Sequence, residues 1–375
     1  MKSKKVVVMV VMGMLAAIPL MAPPFISYLQ GLHSVTGGIS TVPANGDINP
    51  YGIFMVPKTI GKLVRGNMLV SNFNNSANLQ GTGTTIVQIS PTGQRSLFVQ
   101  LNPASYAINP QRIGLTTALV VLSNGWVIVG SLPTLDGTSA TATDGNIFIL
   151  NSTGKVVKIL NGSMIHGPWD ADVLENGSRA SLFVTNVMDG TVVRIVLSAP
   201  KDTGTNAPVE LSRTIIGSGF THRADPAALF IGPTGLAVDF LRIKIQAIAN
   251  VDLYVADTLN NRIMVIHSAD TRTSSAGIGD LVYQGGALNQ PLGLVITPFG
   301  TLLAANAADG NIVEVSRFHQ QLGHFTINAN GAGTLFGLLT RPFGIPAGLQ
   351  DGFSFSTARG VWLVDDGSNT LRLLH

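Results

Sequence analysis

The stretch His166-Gly-Pro-Trp-Asp-Ala-Asp172 carries the residue types in this chain that are most suited to chemistry. His166 offers an imidazole, and Asp170 and Asp172 offer two carboxylates. An imidazole with carboxylates can bind a divalent metal or act as an acid and a base. Trp169 adds a large ring of the kind that often anchors a bound partner. This stretch is therefore the first candidate for a ligand site.

A second polar group, His222-Arg223-Ala-Asp225, precedes a later apolar run, and Arg341 stands before another. If these runs lie around one axis, His222, Asp225 and Arg341 would join the first group in a single pocket. The structural alternative is that both histidines only form local loop hydrogen bonds, since polar side chains collect wherever water fills a channel. The sequence leaves both interpretations open and assigns no residue a catalytic role.

The elements that must position these residues are clearest in residues 253–266, LYVADTLNNRIMVI. An apolar run with a high preference for extended structure ends at Asp257, and the backbone can bend through left-handed conformations at Asn260 and Asn261. A second extended run follows, which is typical of a β-hairpin. About twenty residues upstream, Pro233-Thr-Gly-Leu-Ala-Val-Asp239 predicts a turn and another buried strand.

This unit recurs along the chain in six copies. Their first strands are predicted to begin near Pro50, Arg112, Pro168, Pro233, Pro291 and Pro342. Second and third strands that match LYVAD and RIMVI follow in every copy, and a more variable fourth strand follows in the first five. The chain ends directly after the third strand of the sixth copy, so residues 38–42 are expected to supply the missing strand. The pattern predicts an all-β fold, a six-bladed β-propeller of four-stranded antiparallel blades closed by an N-terminal strand.

The fourth copy, with PTGLAVD followed by LYVADTLNNRI, resembles an NHL repeat, and residues 45–375 resemble an exported six-bladed NHL propeller of bacterial type. The resemblance implies a fold and leaves the activity open, because such propellers include peptide-binding and RNA-binding modules, the zinc-dependent lyase of peptide amidation and, more distantly, lactonases of the gluconolactonase type. The lyase needs several histidine ligands on separate blades, and this chain has His166 alone at the equivalent position. The lactonase site needs an axial glutamate. The three glutamates, Glu175, Glu210 and Glu314, do not supply one.

Residues 1–22 have the pattern of a secretory signal peptide or an N-terminal anchor. Three of the first five residues are lysines, and the apolar run that follows is at the lower limit for a spanning helix, roughly 17 to 25 residues. We therefore expect residues 23–375 to form the propeller, in the periplasm or outside the cell. Contact with a membrane is expected only through residues 1–22, if they are retained. The chain has no cysteine, which fits export without a disulfide framework.

The charge of the chain argues against a nucleic-acid partner. The formal net charge is +3, but three of the 23 basic residues lie in residues 1–22, and the remaining 20 balance the 20 acidic ones. A neutral exported domain has no broad positive field to attract nucleic acid. We expect it to be a monomer.

The sequence therefore predicts a binding or scaffolding module for a protein or a small-molecule or carbohydrate ligand, with binding favoured over catalysis. The alternative is a metal-assisted lyase or hydrolase with its site at the mouth of the central channel. A divalent metal is the cofactor that this alternative would require, and His166, Asp170, His222 and Asp225 are the residues that it would use.

Overall fold

The computed structural model describes residues 26–239, 250–340 and 360–375. Residues 1–22 and Arg341, for which the sequence makes predictions, lie outside these ranges. Within them, the strands form six four-stranded antiparallel sheets and one two-stranded hairpin. The inner strands of neighbouring sheets contact one another around an axis, and the last of them contacts the first. The predicted fold, an all-β six-bladed β-propeller, is confirmed.

The chain passes through the blades in sequence order, from the inner strand to the outer strand of each. Strand β1 (Val35–Ser40) precedes the first blade. Blade 1 contains β2 (Ile48–Met55), β3 (Met68–Asn74), β4 (Thr85–Ile89) and β5 (Arg95–Gln100). Blade 2 contains β6 (Leu115–Val121), β7 (Val127–Ser131), β8 (Asn146–Leu150) and β9 (Val156–Leu160). Blade 3 contains β10 (Pro168–Asn176), β11 (Arg179–Asn186), β12 (Thr191–Ser198) and β13 (Val209–Gly217).

A short hairpin separates blades 3 and 4, formed by β14 (Arg223–Asp225) and β15 (Leu229–Ile231). Blade 4 contains β16 (Pro233–Val238), β17 (Leu253–Asp257), β18 (Arg262–Ile266) and β19 (Asp280–Gln284). Blade 5 contains β20 (Pro291–Ile296), β21 (Leu302–Asn306), β22 (Asn311–Val315) and β23 (Gln321–Thr326). Blade 6 contains β24 (Leu335–Thr340), β25 (Val361–Asp365) and β26 (Thr370–Leu374). Short 3₁₀ turns lie at Leu29–Gly31, Pro103–Ser105, Ser139–Thr141 and Thr258–Asn260. No helix in the described ranges is long and apolar enough to cross a membrane.

The N-terminal strand closes the ring, as predicted. Strand β1 pairs antiparallel with β26, with Val35 opposite Leu374 and Ser40 opposite Thr370. The closing strand spans 35–40 rather than the predicted 38–42. It begins earlier because a bulge between Gly37 and Ile39 lets the strand keep pairing as far as Val35.

Two of the predicted first strands are wrong in register. In blade 6 the inner strand is Leu335–Thr340, where Leu335 stands opposite Asp365 in the place that proline takes in four other blades. The predicted start at Pro342 lies outside the described residues. In blade 2 the copy begins at Leu115 rather than Arg112, because Leu115 stands opposite Ser131 in the place that proline takes in other blades; one extra residue then precedes the pairing of Leu119 with Val129.

The repeat glycine allows neighbouring inner strands to touch. A Cβ atom on Gly235 would lie 2.2 Å from the carbonyl oxygen of Leu292, and one on Gly293 would lie 2.0 Å from that of Phe336. Real Cβ atoms do not approach so closely, so only glycine fits. The side chains next to these glycines pack around the axis, where the rings of Tyr51 and Phe336 stack with centroids 3.9 Å apart. The central channel is therefore filled near its middle.

Candidate functional site

The filled middle of the channel separates two cavities. The upper cavity, about 460 Å³, lies where the inner strands begin. The lower cavity, about 350 Å³, lies along the halves of the inner strands that lead to their ends. Trp169, Leu292 and Phe336 line both cavities and form the partition between them.

Two residues of the upper cavity have a backbone conformation that side-chain-bearing residues rarely adopt. Asn49 and Gln290 each stand directly before an inner proline, with φ values of 57° and 54°. Their backbone N–H groups donate to Asn369 Oδ1 at 2.7 Å and to Asn261 Oδ1 at 2.6 Å. These bonds hold the left-handed conformation, and a structure that over-determines such a conformation often does so at a binding site. Both side chains line the cavity, and no described group hydrogen-bonds to their side-chain amide groups.

Asp366 places a carboxyl group in the same cavity. No hydrogen-bond donor among residues 26–239, 250–340 and 360–375 reaches it. Burial, with the nearby negative charge of Asp365 as the smaller cause, raises the pKa of Asp366 to about 7. Burial also raises the pKa of the Tyr51 phenol well above its usual value, and the charge of Asp366 adds to that rise. The Asp366 carboxyl can therefore either donate or accept a hydrogen bond near neutral pH.

The hairpin β14–β15 forms one side of the upper cavity, with Asp225, Ala227, Ala228 and Phe230 in the lining. Asp225 pairs with Arg223 at 3.0 Å and accepts from the backbone of Ala227 at 2.9 Å, so its carboxylate shapes the turn. Gln80 Nε2 from blade 1 donates to Ala227 O at 2.8 Å. Gln80 Oε1 is buried without a hydrogen-bond partner in the described part of the chain. A buried acceptor of this kind is uncommon and indicates a missing donor.

The lower cavity contains Asp170 and Asp172, both on β10. Asp170 Oδ2 accepts from the backbone N–H of Leu236 at 2.9 Å, and Asp172 Oδ2 accepts from that of Val238 at 2.8 Å. Both acceptors therefore bridge blade 3 to β16 of blade 4. Burial is the main cause that raises the pKa of Asp170 to about 8 and that of Asp172 to about 6.

The predicted site residues do not form one pocket. Trp169 is 2% exposed, and its ring lies 5.6 Å from that of Tyr51, so it belongs to the partition. Asp170 and Asp172 face the lower cavity and Asp225 the upper one. His166 and His222 line neither.

Both histidines form local contacts instead. His166 Nδ1 pairs with Asp144 at 3.2 Å, and its backbone N–H donates to Asn186 Oδ1 at 3.1 Å. His222 Nδ1 lies 3.1 Å from the carbonyl oxygen of Phe220. In the ranges that the structure describes, no three His, Asp or Glu side chains are grouped to hold a metal ion. The metal-assisted alternative therefore gains no support from these contacts, and Arg341 lies outside the described residues.

Two polar residues of the upper cavity, Asp366 and Gln80, are not among the site residues predicted from the sequence. Asp366 had a signal, because the residue that follows the repeated Asn, Ser or Asp of the second strand is apolar or small in the other five blades. Those counterparts are Phe73, Leu132, Val187, Thr258 and Ala307. Gln80 had none, because it comes from a long loop whose path the repeat does not fix.

Comparisons with known proteins agree on the architecture. No family model matches the chain, and no curated protein matches its sequence. A gluconolactonase from Xanthomonas campestris is similar in structure, with a TM-score of 0.50 and 11% identity over 92% of this chain and 91% of that one. A virginiamycin B lyase from Staphylococcus aureus has a TM-score of 0.48 and 13% identity over 91% of this chain and 98% of that one. A luciferin-regenerating enzyme has a TM-score of 0.49 and 14% identity, with coverages of 91% and 95%. At such low identity the similarity concerns the fold.

Proposed function

We propose that this chain is an exported propeller of the NHL type that binds a small polyhydroxylated ligand, such as a carbohydrate, in the upper cavity. The observation that carries the proposal is the combination of aromatic rings with unpartnered polar groups in one cavity. Tyr51 and Phe336 line the cavity but stack on each other, so Phe230 offers the ring that no other described aromatic ring stacks on. Asp366 and Gln80 supply polar atoms that lack partners among the described residues.

A carbohydrate matches this combination because it has two kinds of surface. Its C–H faces are apolar enough to pack on aromatic rings, and its hydroxyl groups both donate and accept hydrogen bonds. The amides of Asn49 and Gln290 can meet such hydroxyls in either role. Asp366, with its pKa raised to about 7, can accept from one hydroxyl or donate to another.

Export and family type rest on sequence features. The lysine-rich start and the apolar run of residues 1–22 support secretion or anchoring, and the absence of cysteine fits an envelope protein. The match of LYVADTLNNRI supports the NHL type, and the balanced charge of residues 23–375 argues against a nucleic-acid partner. N-terminal sequencing of protein recovered from the cell envelope tests export, and an intact N-terminus on cytosolic protein would contradict it.

Calorimetric titration with a panel of neutral mono- and disaccharides tests the binding. We expect at least one sugar to bind, and Asp366→Asn to weaken that binding by roughly tenfold, because one charge-assisted hydrogen bond is lost. Phe230→Ala should weaken it as well, by removing a ring from the hairpin wall. Glu175→Gln is the matched control, since Glu175 only accepts hydrogen bonds from Ser123 at the surface. Equal affinities for all three variants, or no sugar bound by the native chain, would contradict the proposal.

A further inference from the structure

The lower cavity exists because blade 3 departs from the repeat. Where blades 1, 4, 5 and 6 have the glycine that lets inner strands touch, as at Gly235 against Leu292, blade 3 has Asp170. Its side chain cannot fit against a neighbouring backbone, so it reaches across to the N–H of Leu236. Asp172, two residues further along β10 on the same face, reaches the N–H of Val238 in the same way. The two inner strands are thus joined through two carboxyl groups.

The rest of the lower cavity is apolar. Aliphatic side chains from five other inner strands line it, including Leu119, Leu294 and Leu338. Thr117 and Thr340 are the other polar residues of the lining, and their hydroxyls already donate to the carbonyl oxygens of Trp169 and Ile296. No lysine, arginine or histidine from the described residues lines it. Two carboxyl groups therefore face an apolar space without a basic partner in the described ranges.

We propose that the lower cavity binds a small organic cation with an apolar body, such as an arylalkyl primary amine, whose ammonium group lies between Asp170 and Asp172. The two carboxyls accept hydrogen bonds from backbone N–H groups, including that of Val173 to Asp172 Oδ1 at 2.8 Å, but have no cationic partner in the described ranges. An ammonium group supplies that charge, and its apolar body replaces water along the aliphatic walls. A water molecule takes about 30 Å³ of liquid, so a cavity of about 350 Å³ has room for roughly a dozen atoms of similar size. This site is separate from the upper cavity and goes beyond the carbohydrate proposal.

The protonation of the two carboxyls gives the binding a further signature. With pKa values of about 8 and about 6, the pair holds close to one proton at neutral pH when no cation is bound. Among residues 26–239, 250–340 and 360–375, no other titratable group faces the pair: β6, β7, β16, β20 and β24 carry none, Tyr51 of β2 lies in the upper cavity, and β11 has only Arg179 at its far end. An ammonium ion favours the ionised pair, so its binding should release protons and strengthen as the pH rises from about 6 to about 8.

Calorimetric titration of the chain with 2-phenylethylamine tests the proposal, with 2-phenylethanol as a neutral ligand of matched size. We expect the amine to bind at least tenfold more tightly than the alcohol at pH 8, a preference typical of a charge-assisted hydrogen bond. Asp170→Asn and Asp172→Asn should each remove most of this preference while leaving alcohol binding unchanged, which shows that the cavity is still intact. Glu175→Gln, on the same strand but outside the cavity, should bind both ligands as the native chain does.

Repeating the amine titration in buffers of different ionisation enthalpy measures the released proton, which the alcohol should not release. Equal affinities for amine and alcohol in the native chain would overturn the proposal. So would amine binding that both asparagine variants retain, since the ammonium would then lie elsewhere. Sugar binding in the upper cavity depends on Asp366 and not on these residues, so either proposal can fail without the other.

Discussion

At the scale of single residues, Asp170 is a carboxyl group that the fold keeps protonated at pH values where a carboxyl is normally ionised. Its pKa is near 3.8 in an unfolded chain, and burial raises it to about 8 in the folded one. Between these values the folded state holds a proton that the unfolded state has released. Because the folded state then binds more protons, its stability must fall as the pH rises through this window.

Asp170→Asn should remove this pH dependence. The amide oxygen of asparagine can still accept the hydrogen bond from Leu236, but the side chain never has to ionise. We expect the free energy of unfolding to rise by roughly 1–3 kcal/mol at pH 8 and to change little near pH 4. The gain in unfolding free energy is limited to this range because Asp170 faces a cavity in which solvent can screen its charge. Denaturant titration at both pH values measures the difference.

Glu175→Gln serves as the control for this measurement. Its carboxylate accepts from Ser123 at the surface, so any change in stability should be small and similar at both pH values. If Asp170→Asn raised the free energy of unfolding equally at pH 4 and pH 8, or lowered it at pH 8, burial of an ionisable Asp170 would not be what destabilises the fold at high pH.

The residues of LYVADTLNNRIMVI serve the blades. Asp257 accepts from Arg262 Nε at 2.7 Å inside its own hairpin, and Asn261 accepts from the backbone N–H of Gln290 in the next blade at 2.6 Å. Asn261 adopts a φ of 48°, which asparagine tolerates better than most residues. Blade 6 repeats both contacts, with Arg372 donating to Asp365 and Asn49 donating to Asn369. The best-preserved motif thus holds its own hairpin together and joins it to the next blade, and Thr258 within it lines the upper cavity.

At the scale of elements, the segment before β1 is attached to blade 5 by one buried carboxylate. Glu314 on β22 is fully buried and accepts hydrogen bonds from Ser27 Oγ at 2.6 Å, from the backbone of Tyr28 at 2.8 Å and from that of Leu29 at 3.0 Å. Thr301 Oγ1 donates to it as well, at 2.6 Å. All its partners are donors, so the site needs two acceptor oxygens.

Glu314→Gln should loosen this attachment. The new NH₂ group would face donors and lose at least one hydrogen bond inside the protein. We expect a loss of roughly 2–3 kcal/mol in the free energy of unfolding, the usual cost of an unsatisfied buried polar group. Limited proteolysis should then cut near residues 27–34 faster than in the native chain. Unchanged stability and unchanged cleavage would contradict the attachment, and Glu210→Gln, which loses a partly buried pair with Arg213, controls for the loss of a charge elsewhere.

The repeat could be found from the sequence, but one of its markers was misjudged. Proline suggested that the sixth copy begins at Pro342, whereas the strand begins at Leu335. The physical requirement lies at the third position, where a Cβ on Gly337 would meet the carbonyl oxygen of Tyr51 at 2.6 Å. Proline only fits the extended start of the strand, so another apolar residue can replace it. Glycine stands at the third position of both candidates, Gly337 after Leu335 and Gly344 after Pro342, so the proline favoured the later start and the glycine could not correct it.

The candidate site could be predicted only in part, for a similar reason. The replacement of the repeat glycine by Asp170 marked blade 3 as exceptional, and that position does line a cavity. The sequence did not reveal that the backbone N–H of Leu236 binds this carboxyl, since that contact depends on how two blades approach. His166 drew attention by its type, but Asn186 and Asp144 hold it in its loop. Residue type alone does not give the direction of a side chain.

At the scale of the whole molecule, ring closure depends on a strand that the chain contributes from its other end. Backbone hydrogen bonds join Ser34 and His375 in both directions, at 3.0 Å and 2.9 Å. Because antiparallel pairs alternate, Val35 and Leu374 form a non-hydrogen-bonded pair and Thr36 and Leu373 a hydrogen-bonded one. The N–H of Thr36 therefore points to β26, and that of Val35 points away from it.

Thr36→Pro should open the ring, and Val35→Pro is its matched control. Among the described residues, β1 and β26 are the only pair of strands that joins the two ends of the chain in blade 6. Proline at position 36 removes a hydrogen-bond donor from this pair. Proline at position 35 removes an N–H that faces outward. We expect Thr36→Pro to lower the free energy of unfolding by roughly 2–4 kcal/mol and Val35→Pro to lower it by clearly less. Once β1 is displaced, the free edge of β26 should also promote self-association, which sedimentation velocity measures. Equal losses for the two variants would mean that side-chain packing of the N-terminal segment, rather than the β1–β26 ladder, holds the ring closed.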